Sequence, residues 1–182
     1  MSGASDTRAF IPLGIAVMTV SDTRTLADDK SGDVLTDRIS TAGHRLIDRA
    51  IVTDDAERIA NQVRAWSLSQ DVDVVITTGG TGFTGRDVTP EALEPLFEKR
   101  MDGFSAIFHR ISYDKIGTST IQSRATAGLM NGTFVFVLPG SPGACKDAWD
   151  GILGQQLDYR HQPCNFVEIM PRLDEHLKRG KS

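Results

Sequence analysis

Three short runs of the chain are apolar at nearly every position: Leu13-Gly14-Ile15-Ala16-Val17-Met18-Thr19-Val20, Val72-Asp73-Val74-Val75-Ile76-Thr77-Thr78 and Thr133-Phe134-Val135-Phe136-Val137-Leu138. Runs without polar alternation read as strands buried on both faces, as in a parallel sheet. Residues 46–52 make a fourth strand, interrupted by Asp48 and Arg49. Between the strands, apolar positions recur at helical spacing. Val34, Leu35, Ile39 and Ala42 define one helix, with Ser31 as its cap and Gly43 as its stop. Ala56, Ile59, Ala60, Val63, Ala65 and Trp66 define a second, running to Gln70. Thr89 and Pro90 read as the cap and first residue of a helix over 91–99. Residues 101–113 and 119–130 read as two more helices broken at Gly117, and 144–157 as the last. Strands alternating with helices predict an α/β fold, a mostly parallel sheet with helices on both faces. The expected organisation is one domain over 11–177, a flexible N-terminus over 1–10 and a frayed basic tail over 178–182.

The length of 182 residues suits a single domain, and 40% hydrophobic with 24% charged residues is ordinary for a globular one. The net charge of −4 argues against nucleic acid or an anionic membrane as a partner of the whole surface. The longest apolar stretch, residues 11–20, contains Pro12 and Gly14 and is about half the length of a membrane span. The first residues lack the basic and apolar regions of a signal peptide. Cys145 and Cys164 form no Cys-x-x-Cys pair and read as free thiols in a reducing, cytoplasmic compartment. His44, His109, His161 and His176 show no metal-ligand spacing. Trp66 and Trp149 sit at helical spacing among apolar residues, in the core or at an interface. Phe104, Ile107 and Phe108 read equally as core or as a face for another subunit.

In such folds the ligand lies outside the carboxyl ends of the strands. That rule gathers three segments: Ser21-Asp22-Thr23-Arg24, residues 79–87, and Pro139-Gly140-Ser141. The middle one places four glycines in the seven residues 79–85, directly after a buried strand. Clustered glycines let peptide N–H groups approach a phosphate closely. Gly80, Gly82 and Gly85 also satisfy the G-x-G-x-x-G dinucleotide pattern, but no helix opens at Gly85, and the loop follows the third strand instead of the first. A dinucleotide oxidoreductase is therefore the weaker reading.

The run Thr77-Thr78-Gly79-Gly80-Thr81-Gly82 with Arg86-Asp87-Val88-Thr89-Pro90-Glu91 resembles the central motif of the MogA/MoaB family of molybdenum cofactor biosynthesis proteins. The resemblance extends through Thr19-Val20-Ser21-Asp22, Asp29-Lys30-Ser31-Gly32, Gly117-Thr118-Ser119-Thr120, Ser123-Arg124-Ala125 and Leu138-Pro139-Gly140-Ser141. Pro163-Cys164-Asn165-Phe166 is similar to the MoaB branch in particular. The resemblance implies a molybdopterin-binding fold assembled as a trimer or hexamer. It implies adenylylation of molybdopterin by Mg·ATP with release of pyrophosphate, and hand-over of the product to a partner that inserts molybdate. The alternative within the family is a non-catalytic molybdopterin-binding or carrier protein.

On that resemblance, Thr78, Gly79, Gly80, Thr81, Gly82 and Arg86 are expected at the nucleotide. Ser21, Ser31, Gly32, Ser119, Ser123, Arg124, Pro139, Gly140 and Ser141 are expected at the pterin. Asp87 and Asp54 are the catalytic, Mg²⁺-binding pair; two carboxylates beside a triphosphate repel it unless a metal bridges them. Asp54 also reads as a simple helix cap before Ala56, and Arg86 as half of a surface ion pair. One departure is Gly143, where many relatives carry lysine after Leu-Pro-Gly.

Overall fold

The computed structural model describes residues 7–178. The first strand, β1 (Gly14–Val20), is buried at all its positions and occupies the interior of a six-stranded sheet. Helix α1 (Lys30–Thr41) leads to β2 (Arg45–Val52), and α2 (Ala56–Ser67) to β3 (Val74–Thr78). A short α3 (Thr89–Leu93), a 3-10 turn (Glu94–Leu96) and a two-residue β4 (Lys99–Arg100) precede α4 (Asp102–Ile116). A second 3-10 turn (Gly117–Gln122) enters the hairpin of β5 (Thr126–Met130) and β6 (Thr133–Leu138). Then α5 (Pro142–Ala148) runs through a π-helical turn (Trp149–Leu153) into α6 (Gly154–Gln156), and α7 (Phe166–Ile169) and α8 (Glu175–Lys178) close the described chain.

The strand order is β2-β1-β3-β6-β5-β4. β2, β1, β3 and β6 are parallel; β5 and β4 run antiparallel to their neighbours. Alternate side chains feed two cores. Ile15, Val17, Ile76 and Phe136 pack with Leu35 and Ile39 of α1, Phe104 and Phe108 of α4, and Trp149. Met18, Val75 and Val135 pack with Ile59, Val63 and Trp66 of α2 and Leu93 of α3. The expected α/β architecture is present. Phe104, Phe108 and both tryptophans are core residues, whereas Ile107 is 52% exposed.

Several expected elements differ, each for an identifiable reason. Residues 119–130 are not a helix: the second half is β5, buried on both faces and paired antiparallel with β6. The signal was Asn131-Gly132, both at positive φ (51° and 79°), a two-residue hairpin turn between apolar runs. The helix expected over 91–99 ends as α-helix at Leu93 and tightens into the 3-10 turn Glu94–Leu96, where Pro95 has no N–H to donate, before the backbone becomes extended at Phe97. Asp29, not Ser31, caps α1, its carboxylate accepting from the Gly32 N–H. Thr89 is buried in the first turn of α3 instead of capping it. The second helix ends at Ser67 and the last begins at Pro142. The expected flexible and frayed ends lie largely outside the described residues. From Arg8 onward the chain is held: Arg8 donates to Tyr159 O, and the Phe10 ring lies 5.0 Å from His44.

One polar network fastens β1, β2 and α1 together. Asp29 is 1% exposed, and its carboxylate accepts from Thr19 Oγ1 (2.7 Å), Gly32 N (3.0 Å) and Arg49 Nη2 (2.8 Å). Arg49 also reaches Asp33 and the Asp29 carbonyl. Burial pushes the Asp29 carboxyl up, but Arg49, Gly32 and Thr19 together hold it below the usual range. Removing Arg49 strands a buried charge. Arg49→Met is expected to lower unfolding free energy in urea by about 3 kcal/mol at pH 7. Because the Asp29 carboxyl titrates low in the fold, the network stabilises above the unfolded aspartate pKa and stops doing so as pH falls through the folded one. The gap between wild type and Arg49→Met should therefore close in acid.

Candidate functional site

The chain leaves β1 toward β2 on one side and returns as β3 on the other, so the carboxyl ends of β1 and β3 flank the switch point of the sheet. A cleft of about 210 Å³ lies there. Thr19, Val20 and Ser21 supply one wall, Thr78 and Gly79 the floor, and Gly140 and Pro142 the other wall, with Arg24, Asp29, Lys30 and Ser31 at the α1 end. The N-termini of α1 and α5 both open on it, adding positive potential to Arg24 and Lys30. The Asp29 charge is already matched by Arg49. The cleft is built to take an anion.

Backbone contact between loops sets its shape. Gly79 and Gly80 have φ of 102° and 66°, and a β-carbon on Gly79 would collide with Val20 O. A β-carbon on Gly140 would lie 3.2 Å from Gly79 Cα. The hydroxyls on this floor are spent internally: Thr78 Oγ1 donates to Pro139 O (2.8 Å), Thr89 Oγ1 to Gly79 O (2.9 Å) and Ser31 Oγ to Gly140 O (3.0 Å). The buried Cys145 thiol sits 3.2 Å from Thr78 Oγ1, and burial pushes its pKa to about 11, so it is no nucleophile.

Beyond the floor, two carboxylates pack against the glycine loop, Asp87 from the loop itself and Asp54 from the connection between β2 and α2. A β-carbon on Gly80 would lie 3.3 Å from Asp54 Oδ1, and one on Gly82 2.8 Å from Asp87 Oδ2, so each acid sits against a glycine. Asp54 is free for this because Asp55 caps α2, accepting from Arg58 N (2.9 Å). Burial, then the charge of Asp22 and, more weakly, that of Asp87, raise the Asp54 carboxyl above its ordinary value. Burial also acts on Asp87, but Thr84 Oγ1, the Thr84 and Gly82 N–H groups and Arg124 outweigh it and lower that carboxyl. Asp22 ties three loops together: it accepts from Asp54 N (3.0 Å) and pairs with Arg86. Among the described residues no three His, Cys, Asp or Glu gather as a metal cage. The oxygen donors of Asp54 and Asp87 nonetheless fit Mg²⁺, which keeps water and phosphate oxygens in its shell and needs only one or two carboxylates.

Of the residues expected at the site, Ser21, Ser31, Thr78, Gly79 and Gly140 line the cleft, while Asp54, Gly80, Thr81, Gly82, Arg86 and Asp87 form its extension. Gly79 N–H is not available to a phosphate, since it donates to Leu138 O (3.0 Å); the Gly80 and Thr81 N–H groups find no acceptor among the described residues. Gly32 is spent on Asp29, Pro139 on Thr78 through its carbonyl, and Ser141 caps α5. Ser119, Ser123 and Arg124 do not line the cleft. Ser119 is exposed, Ser123 Oγ is buried without a partner, and Arg124 is tied to the glycine loop on a segment that is not helical. Asp22 and Arg24 belong to a segment expected at the strand ends, and Thr19, Asp29 and Lys30 to motifs of the family resemblance, but none of the five was singled out as a site residue.

The fold and this cleft define the class: an α/β protein with a polar cleft, flanked by two helix N-termini, at the switch point of its sheet. Residues 16–159 match the family described as "Probable molybdopterin binding domain". Molybdenum cofactor biosynthesis protein B of Escherichia coli K12 is 51% identical over 157 residues, covering 86% of this chain and 92% of that protein. Its Bacillus subtilis counterpart is 44% identical over 142 residues, covering 78% and 84%. A crystal structure of a molybdenum cofactor biosynthesis protein B superposes with a TM-score of 0.80 at 42% identity, covering 82% of this chain and 94% of the other. The tungsten cofactor synthesizing protein MoaB from Pyrococcus furiosus gives 0.71 at 36%, covering 79% and 92%. This chain belongs to the MogA/MoaB family of molybdenum cofactor biosynthesis proteins, in its MoaB branch. Among the described residues no helix is long and apolar enough to cross a membrane.

Two outcomes follow from this geometry. Gly79→Ala forces a left-handed non-glycine residue against a backbone carbonyl and should cost at least about 2 kcal/mol by urea denaturation. Asp22→Asn removes a charge that raises the Asp54 carboxyl and leaves Arg86 nearby, while its amide oxygen still accepts from Asp54 N. The Asp54 carboxyl, followed by NMR titration, should then protonate at lower pH than in the wild type.

Proposed function

We propose that the protein adenylylates molybdopterin with Mg·ATP in the cytoplasm. A terminal phosphate oxygen of molybdopterin attacks the α-phosphorus of ATP, the bond to the β-phosphate breaks, and pyrophosphate leaves. The observation that carries this reading is the pairing of a cleft at two helix N-termini with two carboxylates packed against one glycine loop. A phosphate-binding cleft alone needs no acids at its edge. Acids there repel a phosphate unless a cation lies between them.

The residues divide the work by position. The α1 and α5 N-termini, Lys30 and Arg24 hold the phosphate of the pterin, with Ser21 and Ser31 at its side. The Gly80 and Thr81 N–H groups receive the nucleotide phosphates. Asp87, kept ionised by Thr84, and Asp54 would hold the Mg²⁺ of Mg·ATP, which would supply neutralisation of phosphate charge. Arg86 reaches a phosphate by exchanging its Asp22 partner for it. Positioning and charge neutralisation supply the catalysis; no covalent intermediate on the protein is needed. A homotrimer or homohexamer and hand-over to a molybdate-inserting protein complete the proposal.

A binding-only role has one feature in its favour: Gly143 presents no side chain near the α5 N-terminus, where the family resemblance leads one to expect a lysine. Pyrophosphate measured after mixing protein, Mg·ATP and molybdopterin decides between the two. Release at substrate-dependent rates supports adenylylation; retained molybdopterin with no pyrophosphate overturns it. Asp87→Asn should lower turnover roughly 10²-fold or more with unchanged circular dichroism. Turnover at the wild-type rate in that variant removes Asp87 from the mechanism.

A further inference from the structure

Arg124 is committed to the neighbouring glycine loop through its backbone N–H, Nε and Nη2, and to Glu91 of α3 through Nη1. Its backbone N–H donates to Thr81 O (3.0 Å). Its Nε donates to Gly82 O (3.0 Å), Nη2 donates to Asp87 O (3.1 Å), and Nη1 pairs with Glu91. The Phe83 ring, 73% exposed at the loop tip, covers the guanidinium with 5.4 Å between its carbon and the ring centroid. The segment bearing Arg124 is itself held from α4: His109 Nδ1 lies 2.7 Å from Ser105 O and Nε2 3.1 Å from Ser123 O.

The consequence is directional. Within a trans peptide the C=O and N–H point opposite ways. Turning the carbonyls of Thr81, Gly82 and Asp87 onto one cation turns the N–H groups of Gly82, Phe83 and Val88 away from it. The Gly82 N–H then meets the Asp87 carboxylate, which Thr84 also holds. A loop this rich in glycine has the largest backbone entropy to lose on ordering. Only a planar guanidinium offers donors enough, at fixed angles, to hold three of its carbonyls at once.

We propose that Arg124 is a positioning residue: it fixes the glycine loop, and through it the Asp87 carboxylate, in the geometry that receives the nucleotide phosphates, and it does not contact the pterin. This rests on the adenylylation reading for what the loop receives, but not for the loop's order.

The test uses the full chain with Arg124→Ala and Arg124→Lys. Hydrogen exchange of amides in residues 79–87 should quicken roughly tenfold or more in the alanine variant, and the Kd for Mg·ATP should rise roughly ten- to hundredfold. The Kd for molybdopterin should stay within about threefold. Lysine, a point charge, should recover little of the loop's protection, whereas millimolar methylguanidinium should partly restore ATP affinity to the alanine variant. Unchanged exchange over 79–87 in both variants overturns the proposal, and so does a loss confined to molybdopterin affinity. If the alanine variant does not fold, the lysine variant decides by the same exchange measurement. Should the wild type release no pyrophosphate, the adenylylation reading falls while loop exchange still judges Arg124.

Discussion

Three backbones meet without side chains between them at the carboxyl ends of β1, β3 and β6. A β-carbon on Gly79 would collide with Val20 O, and one on Gly140 would press on Gly79 Cα at 3.2 Å. That approach brings the strand ends together, puts the N-termini of α1 and α5 on one cleft, and lets Thr78 Oγ1 reach Pro139 O. It requires glycine twice over, for the left-handed φ of Gly79 and for the lack of a β-carbon.

Charge is handled by pairing inside the protein before any ligand arrives. With a net charge of −4 the molecule as a whole repels polyanions, so local arrangement has to overcome the global field. At one end of the cleft the buried Asp29 is matched by Arg49, which leaves Lys30 and two helix N-termini facing the ligand. At the other end Asp22 engages Arg86 and the Asp54 backbone, and Asp54 is left with a raised carboxyl pKa beside Asp87. A carboxylate that is costly to ionise alone gains most from a cation. The two ends thus differ in charge: helix N-termini and Lys30 at one, carboxylates at the other.

Much of this was legible in the pattern of residues. Buried parallel strands show as unbroken apolar runs because both faces are covered, so β1, β3 and β6 could be read directly. The glycine loop and both acids were equally visible, since chemistry at a phosphate site demands those residue types near one another in the chain. What misled was local: residues 119–130 have apolar content compatible with a helix, and the Asn131-Gly132 turn had to outweigh it. Around Pro95 a helix that periodicity alone extends tightens into a 3-10 turn.

By itself the sequence determined the α/β alternation, the three loops that meet at the strand ends and the acids available there, because each depends on residues adjacent in the chain. Tertiary structure alone decided which of those groups are free. Whether Asp54 or Asp55 caps α2, whether Gly79 N–H is free or donates to Leu138, and which carbonyls the Arg124 side chain reaches are all set by contacts across 30 or more residues or by single hydrogen bonds. A hydrogen-bonding group's role is fixed by the partner that reaches it first, and that partner is set by packing, which the local pattern does not encode.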